Sequence, residues 1–153
     1  MSSIASLYHL QKKYDDAKEW YEKLTSLDPD SKEAWYTLGV IAWEQFYPAQ
    51  QAARVKLDMK PEDPGPLTDP AARQELKQRY GALVAAGIQY LEKALAIDPD
   101  YDDAMAYMNL LIRERADWLD SAEAYRRDIA LADGWVQKAL ASKKLKAQRR
   151  PRP

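Results

Sequence analysis

Apolar residues recur along this chain at spacings of three and four, which is the period of a helix. The first clear stripe predicts a helix over about residues 14–27 and consists of Ala17, Tyr21, Leu24 and Leu27. Pro29 ends this helix within a turn, because proline has no N–H to continue the helical hydrogen bonds. Asp30 or Ser31 can then cap a second helix that begins near Lys32.

The same stretch of sequence returns later at the same spacing. Leu27-Asp28-Pro29-Asp30 reappears as Ile97-Asp98-Pro99-Asp100. Ala17 lies 12 residues before Pro29, and Gly87 lies 12 residues before Pro99. Each copy follows a helical stripe and precedes a new helix, so the chain predicts an internal repeat of stacked helical hairpins.

The region between the two copies is longer than a simple repeat. Its helical pattern continues past Pro48, where we expect a kink. Residues 60–69 then break the pattern with three prolines and a glycine. The favoured interpretation is an enlarged hairpin with two long arms and an exposed loop over 60–69, held by little and cut first by proteases. The alternative is one degenerate repeat inserted over 45–80.

These residues resemble the tetratricopeptide repeat (TPR) family, whose unit of roughly 34 residues is a pair of antiparallel helices. Residues 35–39, Trp-Tyr-Thr-Leu-Gly, are similar to the start of the family's first helix. The second helix and its stop are matched twice, by Ala17, Tyr21 and Pro29 and by Gly87, Leu91 and Pro99. The resemblance implies an all-α fold, a TPR-like right-handed α-solenoid of about three antiparallel helical hairpins. The repeats would cover about 1–31, 32–101 and 102–142.

Small residues have a particular meaning in this pattern. Gly39 and Gly87 fall where two helices of a hairpin approach each other. We therefore expect both glycines at close helix–helix contacts, where a larger side chain would overpack the interface.

Composition removes several classes of function. The chain has no cysteine and a single histidine, His9, so thiolate metal sites and most histidine-based catalysis have no residues to use. It carries no Gly-rich phosphate loop and no nucleophile motif. We expect a protein that is not an enzyme and that has no cofactor or metal. No run reaches the roughly 20 apolar residues of a membrane span. The compartment stays open: cytoplasmic by default, or exported if a signal peptide was removed.

The net charge of −1 hides an uneven distribution. The tail over 143–153 holds six Lys or Arg residues and no acid, so residues 1–142 together carry −7. A basic tail can touch nucleic acid, but we interpret this one as a disordered, solvated chain end.

The resemblance also implies a concave groove lined by the first helix of each hairpin. Its positions are Tyr36, Val40, Trp43 and Glu44 in the middle hairpin, Asp103, Ala106, Leu110, Arg113 and Glu114 in the last, and Ser2, Ser6 and His9 in the first. Tyr36 and Trp43 are seven residues apart and share one helix face, where exposed aromatic rings would anchor a peptide. The alternative is that the enlarged hairpin covers them and they belong to the core.

One specialisation of the family is excluded at this point. Some TPR proteins hold a chaperone's C-terminal carboxylate with a clamp of Lys, Asn and Arg side chains. The matching positions here are Ser2, Ser6, Thr37, Asp103 and Tyr107, and none of them supplies the positive charge.

The expected function is a non-enzymatic scaffold or adaptor that binds a protein or peptide. The alternatives are a structural module for homo-oligomerisation, as a homodimer formed through exposed repeat ends, and an accessory domain of a larger protein. We also expect the chain to be a fragment of a longer array, because Ile4, Ala5 and Tyr8 match the middle of a first helix.

Overall fold

The computed structural model describes residues 13–149, and all regular structure in that range is helical. The elements are α1 (Tyr14–Leu27), α2 (Lys32–Lys56), α3 (Pro70–Ile97), α4 (Asp102–Arg115), a short 3₁₀ turn (Ala116–Trp118) and α5 (Ala122–Arg149). The prediction of an all-α, TPR-like solenoid is confirmed. The groove positions Ser2, Ser6 and His9 and the last residues of the tail, 150–153, lie outside the described residues.

The helix ends follow from local sequence. At the start of α2 the Ser31 side chain accepts a hydrogen bond from the backbone N–H of Ala34. At the start of α3 the Asp69 carboxylate accepts one from Ala71, with Pro70 in the first turn. Pro48 lies inside α2 without ending it.

The repeated turn folds the same way twice. The Asp28 carboxylate accepts a hydrogen bond from the N–H of Asp30 at 3.3 Å, and Asp98 accepts one from Asp100 at 3.1 Å. A short polar side chain that bonds the backbone two residues on stabilises a tight turn. The recurring sequence therefore produces a recurring connection between helices.

The helix α2 is central to the packing. It runs along α3 in the middle hairpin and also contacts α1 on one side and α4 on the other, while α4 packs along α5. The largest fully buried side chains include Leu38, Phe46, Leu91 and Leu111. The buried apolar side chains form two clusters, a large one that joins α2, α3, α4 and α5 and a smaller one between α1 and α2, and Trp35 packs against both.

Two glycines allow α2 and α3 to approach closely. A Cβ atom added at Gly39 would lie 2.5 Å from Leu91 Cδ2. One added at Gly87 would lie 2.8 Å from the Cβ of Ala42 and 3.2 Å from Leu111 Cδ1. Real Cβ atoms are essentially never found within 3.0 Å of another side chain, so the expected close contact at both glycines is confirmed.

Substitution of these glycines provides a test with an internal control. Gly87→Leu should overpack the interface and lower the free energy of unfolding by about 1–3 kcal/mol. Gly134→Ala should raise it by up to ~1 kcal/mol, because Gly134 lies in α5 with open space around it and glycine is a poor helix former. Thermal unfolding measures both changes. Similar melting temperatures for the two variants would contradict the close approach at Gly87.

Most residues of the loop over 60–69 are exposed, as expected, but the expectation that little holds the loop is wrong. Leu67 in the loop is fully buried. Its N–H donates to the carbonyl oxygen of Asp117 at 2.9 Å, and its own carbonyl accepts from Arg73 Nη1 at 2.7 Å. The loop is held by hydrogen bonds to a segment distant in sequence, which a count of its apolar residues does not reveal.

A buried ion pair completes this attachment. Asp117 Oδ2 accepts hydrogen bonds from Arg54 Nε at 2.7 Å and from Gln50 Nε2 at 2.6 Å. Arg54 also donates to the carbonyl oxygens of Lys60 and Asp63 in the loop. All three side chains are buried. A buried charge is tolerated when it is paired and fully hydrogen-bonded, as it is here.

Removal of one partner from this pair should be costly. Asp117→Ala leaves Arg54 buried without a counter-charge and should lower the free energy of unfolding by about 3–5 kcal/mol. A glutamate-specific protease should then cut faster after Glu62, which is exposed in the loop, since the loop loses its anchor. Denaturant unfolding and timed digestion measure the two effects.

Two matched variants make the result interpretable. The double substitution Arg54→Met with Asp117→Leu should be less destabilising than Asp117→Ala, because no unpaired charge remains. Arg127→Ala, which breaks an exposed pair with Glu123, should change the free energy of unfolding by at most about 1 kcal/mol. Equal effects of Asp117→Ala and Arg127→Ala would contradict the structural role of Asp117.

The basic tail was expected to be disordered from residue 143, and this is wrong for residues 143–149. They continue α5. Ser142 Oγ donates to the carbonyl of Asp100 at 2.6 Å, and Lys146 Nζ pairs with Asp102 at 2.5 Å. These bonds attach the helix end to the start of α4, and good helix formers such as Lys, Leu and Ala extend it.

Candidate functional site

The helices α2 and α4 lie side by side, and the residues on their shared surface form the candidate site. We call this surface the α2–α4 face, and its central residues are Tyr36, Val40, Trp43, Tyr47, Tyr107 and Glu114. A hydrogen bond of 2.7 Å from Trp43 Nε1 to Glu114 Oε2 joins the two helices directly. The spacing of α2 and α4 is therefore set by a specific polar contact as well as by ring packing.

Aromatic rings pack in a continuous row across this face. The ring centroids of Tyr36 and Tyr107 lie 5.7 Å apart, and those of Trp43 and Tyr107 lie 5.5 Å apart with the rings edge to face. Tyr47 stacks on Trp43 at 4.9 Å, and Tyr101 lies 5.2 Å from Tyr36. Such pairs hold each ring in a defined orientation.

The sequence-predicted groove residues are placed unequally. Val40 is buried in the core, and Glu114 is buried although it is charged. Asp103 is exposed, whereas Tyr36, Trp43, Glu44, Ala106 and Leu110 are half-buried. The aromatic residues are therefore neither fully open in a groove nor fully enclosed.

Arg113 does not point at the aromatic row. Its Nη2 pairs with Asp133 Oδ1 of α5 at 2.5 Å, and its Nε donates to Asn109 of its own helix at 3.0 Å. Arg113 therefore connects α4 to α5.

Sequence reasoning missed Tyr47, Tyr101 and Tyr107 as members of the aromatic row. A signal was present for Tyr47, because it lies four residues after Trp43 and so on the same face of α2. No local signal places Tyr101 or Tyr107 against Tyr36, since that contact depends on how α4 packs beside α2.

Glu114 has an unusual electrostatic environment. Burial raises the pKa of its carboxyl group to about 7, the hydrogen bond from Trp43 opposes this rise, and the negative charge of Asp117 adds to it. The group therefore changes charge near neutral pH, where an exposed glutamate would be fully ionised.

The raised pKa values of the tyrosines indicate that their surroundings carry negative charge. The pKa of Tyr101 is raised to about 12, chiefly by burial and then by Glu33 and Asp103. The pKa values of Tyr36 and Tyr107 are also raised, again chiefly by burial, and Asp103 contributes to both. These hydroxyl groups stay neutral and available for hydrogen bonds at physiological pH.

The shifted pKa of Glu114 makes stability depend on pH with a defined sign. The folded state binds the proton more tightly than the unfolded state, whose pKa is 4.5. The stabilisation from protonated Glu114 is therefore complete below about pH 4.5 and is lost as the pH rises through 7. By pH 8 the loss amounts to about 3 kcal/mol.

Glu114→Gln isolates this effect, because the amide keeps the size and can still accept the Trp43 hydrogen bond. The variant should match the wild type near pH 4.5 and exceed its free energy of unfolding by about 3 kcal/mol at pH 8. The lowered pKa values of Asp98 and Asp102 act equally in both proteins and cancel. Denaturant unfolding at a series of pH values measures the difference. A difference that does not change with pH would contradict the burial of an ionisable Glu114.

Residues 13–149 present neither a cluster of metal-ligating side chains nor a membrane-spanning helix. No three or more His, Asp or Glu side chains in this range are grouped so that they could hold a metal ion. None of the helices described is both long enough and apolar enough to cross a membrane.

A comparison with known protein families gives a match to the first part of the chain. Residues 5–45 match a family model described as a TPR repeat. The match covers less than a third of the chain and supports a TPR-like repeat architecture. The matched segment includes α1, the first repeated turn and the first half of α2, so it contains Tyr36, Val40, Trp43 and Glu44. A comparison with curated protein sequences gave no match. TPR repeats serve as protein-interaction scaffolds and are in general not enzymes.

Proposed function

We propose that this chain is a TPR protein and a non-enzymatic scaffold or adaptor that binds a segment of a partner protein along the α2–α4 face. The observation that carries the proposal is the exposure of Tyr47, which is 40% accessible although its ring stacks on Trp43. A large aromatic ring fixed in place and left open to solvent is the type of side chain that dominates binding energy at interfaces.

The surroundings of Tyr47 suit a protein segment. The row continues through Trp43, Tyr107 and Tyr36, so an extended or helical segment could contact several rings along its length. Each ring is already oriented by a neighbour, so little conformational entropy is lost when a partner binds. The tyrosine hydroxyl groups offer hydrogen bonds to the backbone of such a segment.

The proposed division of the chain follows the same scheme. Residues 1–142 form the repeat domain, with repeats over about 1–31, 32–101 and 102–142, and α2 and α3 are the arms of the enlarged middle repeat. In this scheme α2 and α4 are the first helices of successive hairpins, which is why their facing positions would form the binding surface.

A pair of substitutions on α2 tests the proposal. Tyr47→Ser and Val55→Ser each remove an exposed apolar side chain from the same helix, but Val55, at 77% accessible, lies away from the aromatic row. Peptides selected from an unbiased display library on the wild-type protein should bind Tyr47→Ser at least about tenfold more weakly, as expected for a hot-spot aromatic residue. They should bind Val55→Ser with unchanged affinity. Fluorescence anisotropy measures both, and circular dichroism verifies that each variant is folded.

A second candidate function is self-association through α5. The outer surface of α5 exposes Leu131, Leu140 and Leu145, and exposed leucines on a terminal helix can bury themselves against a second copy. Light scattering on the same samples separates the two functions. Two results together would contradict partner binding at the α2–α4 face and favour self-association. The protein would form a stable dimer, and no selected peptide would bind Tyr47→Ser and Val55→Ser with different affinities.

A further inference from the structure

Two carboxylates are buried in the described part of the chain, and only one of them is paired with a cation. Asp117 is 1% exposed and is neutralised by Arg54. Glu114 is 7% exposed, and within residues 13–149 it forms no ion pair. A buried carboxylate without a counter-charge is costly and is uncommon unless it has a use.

The cations close to Glu114 are all engaged elsewhere. Arg113 pairs with Asp133, and Arg115 pairs with Asp128 through two hydrogen bonds of 2.9 and 3.1 Å. Arg54, the one buried cation among residues 13–149, pairs with Asp117. Each arginine has its own aspartate, so none of them is available to neutralise Glu114.

One oxygen of Glu114 remains open to a ligand. Oε2 accepts the hydrogen bond from Trp43, and no described residue donates to Oε1. Oε1 is also accessible to solvent. Within the described range, Arg73 Nε is the one side-chain nitrogen or oxygen that is fully enclosed and lacks a hydrogen bond, so Oε1, which lacks one too, is not fully enclosed. Glu114 can therefore accept a further hydrogen bond from a group that enters from outside.

The walls around this carboxylate favour a cation. Trp43 donates its indole N–H to Glu114 while its ring contacts those of Tyr47 and Tyr107. Aromatic faces attract ammonium and guanidinium groups. Asp103 and Glu44 add negative charge nearby, as their effect on the pKa of Tyr107 indicates. A neutral or anionic group would find no matching charge here.

We propose that the α2–α4 face recognises a lysine or arginine side chain of the partner segment, with Glu114 as the carboxylate that receives it and the rings of Trp43 and Tyr107 beside it. This inference rests on the proposed function and names the chemistry of the partner. The occupant is a segment of a different protein. The basic tail of a second copy of this chain has the same chemistry and is distinguished by the experiment.

The ionisation of Glu114 should appear in the binding. The groups that act on it are the neutral indole of Trp43 from α2 and the carboxylate of Asp117 from the 3₁₀ turn, while Arg113 and Arg115 of its own helix are paired away. A bound cation stabilises the ionised form, so affinity should rise between about pH 6 and pH 8 and release of a proton should accompany binding at lower pH.

Matched peptides test the inference. From the peptides selected on the wild-type protein, the strongest binder is resynthesised with each Lys or Arg replaced in turn by norleucine, which has a similar length and no charge. One replacement should weaken binding to the wild-type protein at pH 8 by at least about tenfold. The same replacement should have little effect on binding to Glu114→Gln, and binding to Glu114→Gln should not vary between pH 6 and pH 8.

The outcomes separate this inference from the proposed function. If selected peptides depend on Tyr47 but carry no Lys or Arg, or if norleucine weakens wild-type and Glu114→Gln binding equally, the face binds protein segments and the role of Glu114 is wrong. If no selected peptide depends on Tyr47, both proposals fall. If the wild-type protein dimerises and Glu114→Gln does not, the cation comes from a second copy, and the assignment to a different protein is overturned.

Discussion

Asp117 joins three parts of the chain through one carboxylate and one backbone carbonyl. The carboxylate accepts hydrogen bonds from Gln50 and Arg54 of α2, and the carbonyl accepts one from Leu67 in the loop. Because Asp117 directly follows α4, these bonds attach the far end of the middle hairpin to the last hairpin. If either hairpin moved away, a charge would be left buried without its partner, at a cost of several kcal/mol. This ion pair therefore makes the relative position of the two hairpins specific, which apolar packing alone does weakly.

The same residue links the fold to the candidate site. Glu114 lies one helical turn before Asp117, and the charge of Asp117 is one of the causes of its raised pKa. Two carboxylates so close in sequence and both buried would repel each other if neither were neutralised. Arg54 neutralises Asp117, and Glu114 is left to bind a proton or an external cation. The arrangement that stabilises the fold thus determines the charge state of the α2–α4 face.

Local features of the structure were predictable from the sequence, and contacts between distant residues were not. The turns at Pro29 and Pro99 and the cap at Ser31 depend on residues a few positions apart, so pattern and turn chemistry identify them. The close contact at Gly87 followed from the spacing shared with a known repeat. The attachment of the loop could not be predicted, since it depends on Arg54 and Asp117, which are 63 residues apart. The groove positions stay a prediction, and one of them, Arg113, pairs with Asp133 of α5, a contact that no local pattern reveals.

The enlargement of the middle hairpin explains why equivalent positions differ in the two repeats. Glu44 and Glu114 occupy the same place in their hairpins by the repeat spacing, yet Glu44 is half-buried and Glu114 is buried. Beyond Glu44, α2 continues for three more turns, and its side chains Phe46 and Arg54 reach Trp118 and Asp117 just after the end of α4. This extension packs against the 3₁₀ turn that directly follows Glu114 and Arg115. The extra helical turns therefore supply Arg54, which neutralises Asp117 and leaves Glu114 as the buried carboxylate of this face without a cationic partner among the described residues.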